Sequence, residues 1–235
     1  TYALQGHKNA RKDAATDYFR ANPHRIHLGH VGFRIKLENG SLATPDDIRD
    51  IKQRLNPYTG EIQSSFSVEG FSVKVLTFAD PKEDIIYTKV ESPLLKIGRL
   101  SFQLDFPFPS QQFLDEGVTN AFPEKHKSYL SDSAPRQLVF QHQIDSLQYP
   151  VAIQANQLIQ AQQLSTHMYE IKVNHSGQIE LAVGFGEVIM GDFNVSRLQG
   201  REEWKEYWNK GGMIDLGQVK DQRAKELERR MVLSR

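Results

Sequence analysis

A period of two dominates this chain. In QIELAVGF, residues 178–185, Ile179, Leu181, Val183 and Phe185 occupy every second position, so an extended backbone sets all four on one face. The same alternation recurs as Ile62, Phe66 and Val68, as Phe71, Val73 and Val75, and as Leu100, Phe102, Leu104 and Phe106. DIIYTKVES, QLVFQHQI, YPVAIQA and MYEIKV continue it, with Gly70 and Ser176-Gly177 at turns. Short strands with one wet and one dry face predict an antiparallel sandwich. They outnumber those of a minimal immunoglobulin-type domain, so the expectation is a mainly β chain with two large sheets packed together.

One stretch invites a different reading. RANPHRIHLGHVGFRIKL, residues 20–37, spaces His24, His27 and His30 three apart, which suggests a metal site. Residues three apart share a face only on a helix, and Pro23, Gly29 and Gly32 oppose a helix here. From His27 the stretch reads as a strand with Val31, Phe33, Ile35 and Leu37 on its apolar face and Arg34, Lys36 and Glu38 opposite. Asn39-Gly40 ends it as a turn. On a strand, neighbouring histidines of this trio point to opposite faces, so they are not expected to share a metal. No cofactor is expected.

Bulk composition narrows the function classes. The chain has 235 residues, 39% hydrophobic and 25% charged, enough for a real core. Lys plus Arg equals Asp plus Glu at 29 each, a balance that gives no reason to expect nucleic acid or membrane as partner. With no cysteine, disulfides, thiolate zinc sites and cysteine nucleophiles are excluded. No apolar run reaches the length of a membrane span, and no signal peptide opens the chain. The chain opens on Thr1 rather than Met, which leads to the expectation of a trimmed start and leaves room for a lost export signal.

Three regions depart from the strand pattern. Residues 107–136 read as a polar, proline-bearing loop. TPDDIRDIKQRL fits a helix capped by Thr44 with Pro45 at its first position, and fits equally a turn followed by a strand with Ile51 and Leu55 inward. At the C-terminal end, GREEWKEYWNKGG sets Trp204, Tyr207 and Trp208 at helical spacing, with Gly211-Gly212 as the stop. DQRAKELERRMVLSR predicts a second helix with an apolar stripe of Ala224, Leu227 and Met231. That stripe runs to the end without a cap, so we expect a further layer to cover it and a chain cut from something longer. The expected division is a sandwich over 1–198 and linker helices over 199–235.

Motifs for chemistry are scarce. There is no phosphate loop of the form G-x-x-x-x-G-K-S/T and no G-x-S-x-G elbow. Asp46-Asp47 is expected to start a turn or helix rather than to act in catalysis. Trp204 and Trp208 read first as core or interface anchors and second as a platform for a sugar face.

At RANPHRIHLGHVGF, LNPYTGEIQSSFSVEG and WKEYWNKGGMIDL…DQRAKELERRMVLSR, the chain resembles the N-terminal region of six-hairpin glycoside hydrolases similar to families 65 and 95. The match is weakest over 107–165. The resemblance implies a galactose-mutarotase-like β super-sandwich, a turn at 55–60, and helices leading into an (α/α)6 catalytic barrel. It implies a non-catalytic domain that braces the barrel, which is its expected partner along with a glycan, in a secreted or periplasmic enzyme. The catalytic carboxylates of that family lie in the barrel, so no catalytic residue is carried over to this chain. Asn22, His24 and Arg25 would approach the barrel interface or the rim of its cleft, and Trp204 and Trp208 are the other carbohydrate- or interface-contact candidates. The rival readings are a free-standing carbohydrate-binding sandwich and a mutarotase-like epimerase, which needs a histidine and a carboxylate facing one sugar.

Overall fold

The structure, a computed structural model, describes residues 9–20, 27–108, 122–174, 176–211 and 215–234. The chain is mainly β, with two antiparallel sheets that do not close into a barrel and helices at the C-terminal end. After helix α1 (Ala10–Arg20), strands run β1 (His30–Ile35), β2 (Ile48–Asn56), β3 (Glu61–Val68), β4 (Phe71–Ala79) and β5 (Ile85–Glu91). A single helical turn, α2 (Pro93–Lys96), precedes β6 (Leu100–Asp105). Then come β7 (His126–Ala134), β8 (Gln137–Ile144), β9 (Leu147–Ala155), β10 (Ile159–Ser165), β11 (Met168–Val173) and β12 (Gln178–Phe185). Helices α3 (Phe193–Lys210) and α4 (Ala224–Leu233) follow. The small sheet has the order β1-β6-β11-β10 and the large one β2-β3-β4-β5-β12-β9-β8-β7.

The main core lies between the sheets, where the alternation places it. Val68, Val73, Val90, Leu104, Phe140 and Val151 are fully buried, and Ile179, Leu181 and Val183 join them from β12. Each such side chain contributes roughly 1.5–3 kcal/mol on burial. A second cluster forms on the outer face of the large sheet. There Phe78 stacks on Tyr87 at 5.0 Å between ring centroids, and Phe193 meets both edge-on. That contact begins α3 earlier than the tryptophan pattern alone suggests. Asp192 caps it, its carboxylate accepting from the backbone N–H of Asn194 and Val195 at 2.9 and 3.0 Å.

Three expectations need correction, and one open choice is decided. Residues 126–134 of the supposed loop form β7, paired along its length with β8. Of the two readings left open for the Thr44 segment, the structure takes the turn followed by a strand: a 3₁₀ turn in which Asp47 accepts from the backbone N–H of Thr44 at 2.7 Å leads into β2 at Ile48. Ile51 and Leu55 are 69% and 57% exposed rather than inward, because β2 is the outer strand of the wider sheet and the small sheet does not reach over it. Val31 and Phe33, expected in the core, are 44% and 36% exposed, on β1, the edge strand of the small sheet. They line the open end of the sandwich, where the Phe33 ring stands 6.0 Å from Phe66 and 5.6 Å from Phe102.

Candidate functional site

The two segments that carry the resemblance at 55–60 and 204–208 meet in space. Asn56 shapes the β2–β3 turn, its side-chain oxygen accepting from the Tyr58 N–H at 3.1 Å. Gly60 closes that turn at φ 65°. The indole of Trp204 lies directly over Gly60, so that a Cβ there would sit 2.0 Å from Trp204 Nε1. Both the backbone angle and the space therefore require glycine. One turn further along α3, Trp208 Nε1 donates to the carbonyl of Pro57 at 2.7 Å, and its ring lies 5.6 Å from Tyr58.

Beneath the turn the clamp is ionic. Glu61, at 3% exposure, accepts Nε of Arg197 at 2.7 Å and Nε of Arg201 at 2.6 Å, with a second bond from each guanidinium at 3.3 and 2.9 Å. Burial alone would raise its pKa, but the hydrogen bonds from Arg201 and Arg197 outweigh that and hold it down at about 2. Arg197, Arg201, Trp204 and Trp208 follow helical spacing, so one face of α3 grips one hairpin. Trp204, Tyr207 and Trp208 meet edge to face at interplanar angles of 77° and 83°, so the three rings do not form one flat surface, and Trp204 and Tyr207 stay 40% and 42% exposed. Other parts of the helical region stay bare: Val195 and Leu198 of α3 are 53% and 61% exposed, and Leu227 and Leu233 of α4 are 53% and 69% exposed.

The opening histidines fall differently. His24, with Asn22 and Arg25, lies outside the described residues. His27 precedes β1, so strand alternation does not govern it, and its ring meets that of His30 edge-on at 4.1 Å. The expectation that this pair points to opposite faces is therefore wrong. Burial and the neighbouring His30 lower the pKa of His27, partly offset by Asp105, which lies opposite His30 in the β1–β6 register. Among the described residues no group of three or more His, Asp or Glu side chains is placed to hold a metal ion. His30 lies at the lip of an open cleft of about 690 Å³ between the sheets, lined mainly by apolar residues such as Phe33, Phe66 and Phe185.

A different set of histidines is brought together, and the sequence reading passed over it. His126 Nδ1 is 2.8 Å from His142 Nε2, and His142 Nδ1 is 2.6 Å from the Tyr149 hydroxyl, which donates to the carbonyl of Leu28 at 2.9 Å. The His167 ring lies against His126 at 3.7 Å and bonds to Ser128 Oγ and the Pro123 carbonyl, both at 2.8 Å. Burial, reinforced by the neighbouring histidines, pushes His126 and His142 down to about 4, so both are neutral at pH 7. A signal was present: in QLVFQHQI, His142 occupies the inward register of Leu138, Phe140 and Ile144. With His142 fully buried, this network joins β7, β8, β9 and the approach to β1 and acts as a fastening.

No protein-family model matches the chain, and no curated protein matches it in sequence. Among solved structures, the chain is similar to a bacterial glucoamylase crystallised with acarbose, with a TM-score of 0.57 and 11% identity. The alignment covers 81% of this chain and 32% of the glucoamylase, so the chain spans about a third of that protein's length. At that identity the likeness is one of fold: a sandwich of the kind found in a glycosidase.

Proposed function

We propose that the chain is the non-catalytic β-sandwich domain of a glycoside hydrolase of the six-hairpin kind, and that it packs against a helical catalytic barrel of the same polypeptide. The observation that carries this reading is the clamp between α3 and the β2–β3 hairpin. It fixes the orientation of a helix whose neighbour, α4, leaves Leu227 and Leu233 largely exposed. A rigid lever bearing uncovered apolar residues needs a further layer, and a helical barrel supplies one. The likeness to part of a glucoamylase supports the same reading. In this arrangement Asn22, His24 and Arg25 contact the barrel or its substrate, and the protein works outside the cytoplasm, where polysaccharides are met.

The test compares two products of the same gene on aryl glycosides and oligosaccharides. The complete reading frame should yield hydrolysis, and the 235-residue chain alone should yield none. Turnover by this chain, surviving repurification and abolished by replacing one of its own carboxylates, would overturn the reading in favour of an enzyme within the sandwich.

A further inference from the structure

The outer face of the large sheet carries charge in an ordered form. Beside α3 it forms an open groove of about 550 Å³, lined by Lys52, Arg54, Lys74, Lys89 and Arg197 against one acid, Glu91. Two cross-strand rows build it. In one, Lys52 pairs in register with Ser65, Ser65 with Lys74, and Lys74 with Glu91. In the other, Arg54 pairs with Gln63, Gln63 with Leu76, and Leu76 with Lys89.

Not all of these cations are free. Arg197 is spent on Glu61, and Lys89 lies between Glu91 at 3.3 Å and Glu180 at 4.0 Å. The side chains of Lys52, Arg54 and Lys74 make no ion pair or hydrogen bond among the described residues. Cations on the edge strand β2 also discourage sheets from pairing edge to edge, which accounts for Lys52 and Arg54. It does not account for Lys74, on an interior strand. We infer that this groove binds an extended anionic oligosaccharide, a chain bearing carboxylate or sulfate groups, laid across strands β2 to β5.

The chemistry selects that class. Adjacent strands lie about 4.8 Å apart, so the free cations spread over roughly 10 Å, too far for one compact anion to engage. Gln63 and Ser65 lie among them as partners for hydroxyl groups, and Leu76 gives an apolar floor for a ring face. Among the described residues no aromatic side chain lines the groove, so they offer nothing for a nucleic-acid base to stack on. The sugar in this inference rests on the glycosidase reading above, whereas the anionic character rests on the rows alone. The groove is tested by binding and the former reading by hydrolysis, so their failures are separable.

The experiment measures binding of oligogalacturonate to the 235-residue chain by calorimetry and by amide shifts, at low and at moderate salt. Shifts should concentrate on residues 52–91, and binding should weaken as salt rises. The double variant Arg54→Glu/Lys74→Glu should weaken it by about tenfold or more. Both positions are exposed, so the variant should melt as the parent does. Lys127→Glu, at the far end of the same sheet, makes the same kind of charge change outside the groove and should leave binding within about twofold. Absence of binding, equal loss in Lys127→Glu, equal binding of maltohexaose, or equal binding of a short oligothymidylate would each overturn the inference.

Discussion

The two ends of the eight-stranded sheet face one problem and solve it with opposite chemistry. At one end β2 and β3 are fixed by a carboxylate between two guanidinium groups and by tryptophans standing on a glycine turn. At the other, β7 and β8 are fixed by neutral His126 and His142 and by Tyr149, all buried. The first holds a helix on the outside of the fold, where Arg201 keeps 41% of its side chain in solvent. The second replaces apolar packing inside it. A charged fastening works where water still solvates part of it, whereas a fully buried one works only if it stays neutral and fully bonded.

The largest effect should come from breaking the buried end. His142→Ala removes a fully buried ring, strands His126 Nδ1 and takes from the Tyr149 hydroxyl one of its two partners, at a cost of about 3–5 kcal/mol in denaturant unfolding. A loss below about 1 kcal/mol would mean the network is loosely formed. Gly60→Ala should come next, at about 2–3 kcal/mol, since it combines a positive φ with a collision on Trp204. It should also shift tryptophan emission, because the chain has two tryptophans and both stand on α3 at this hairpin. Unchanged emission would mean that α3 does not rest on the turn.

Acid should separate the ends by pH window. His126 and His142 have folded pKa values of about 4, below the 6.5 of the unfolded chain. Their contribution is complete above 6.5 and is lost as pH falls towards 4, because the unfolded state takes up protons first. Glu61, at about 2 against an ordinary 4.5, contributes fully above 4.5 and loses that contribution as pH falls towards 2. Melting followed at stepwise pH should therefore decline first through the histidine window. His126→Phe should flatten that first decline, and Glu61→Gln should flatten only the second. A first decline unaffected by His126→Phe would assign it to other groups.

This contrast also explains what was legible in the sequence. The two-layer β architecture was, because interior strands such as β8 and β9 bury one face and must alternate. The strands missed or left undecided are β2, β7 and β10, and all three are sheet edges. β2 has no buried residue at all, and β7 buries only His126, so a hydrophobic pattern had nothing to act on. The clamp was half legible: helical spacing marked Trp204 and Trp208, and the turn was marked by resemblance, but nothing in the order of residues showed that Glu61 would pair with Arg197 and Arg201, more than a hundred positions away. The histidine network was hidden by attention to spacing along the chain. His126, His142 and His167 are 16 or more residues apart and meet only through strand pairing and the β10–β11 turn.

The smallest effect sharpens the comparison most, because it makes nearly the same change at both ends. Trp208→Phe keeps an aromatic ring against Tyr58 and removes one donor from the Pro57 carbonyl. That carbonyl belongs to an exposed turn and regains water, so the loss should be about 1 kcal/mol, within the usual net value of one hydrogen bond. Tyr149→Phe also keeps its ring and removes one hydroxyl, but that hydroxyl bonds both His142 Nδ1 and the Leu28 carbonyl. His142 is sealed from solvent, so no water replaces the lost partner and the cost should be about 2–3 kcal/mol. Equilibrium urea unfolding of the two variants measures the gap directly. If Trp208→Phe cost as much as Tyr149→Phe, the hairpin end would be as dry as the histidine end, and the division into a wet, charged fastening and a dry, neutral one would fail.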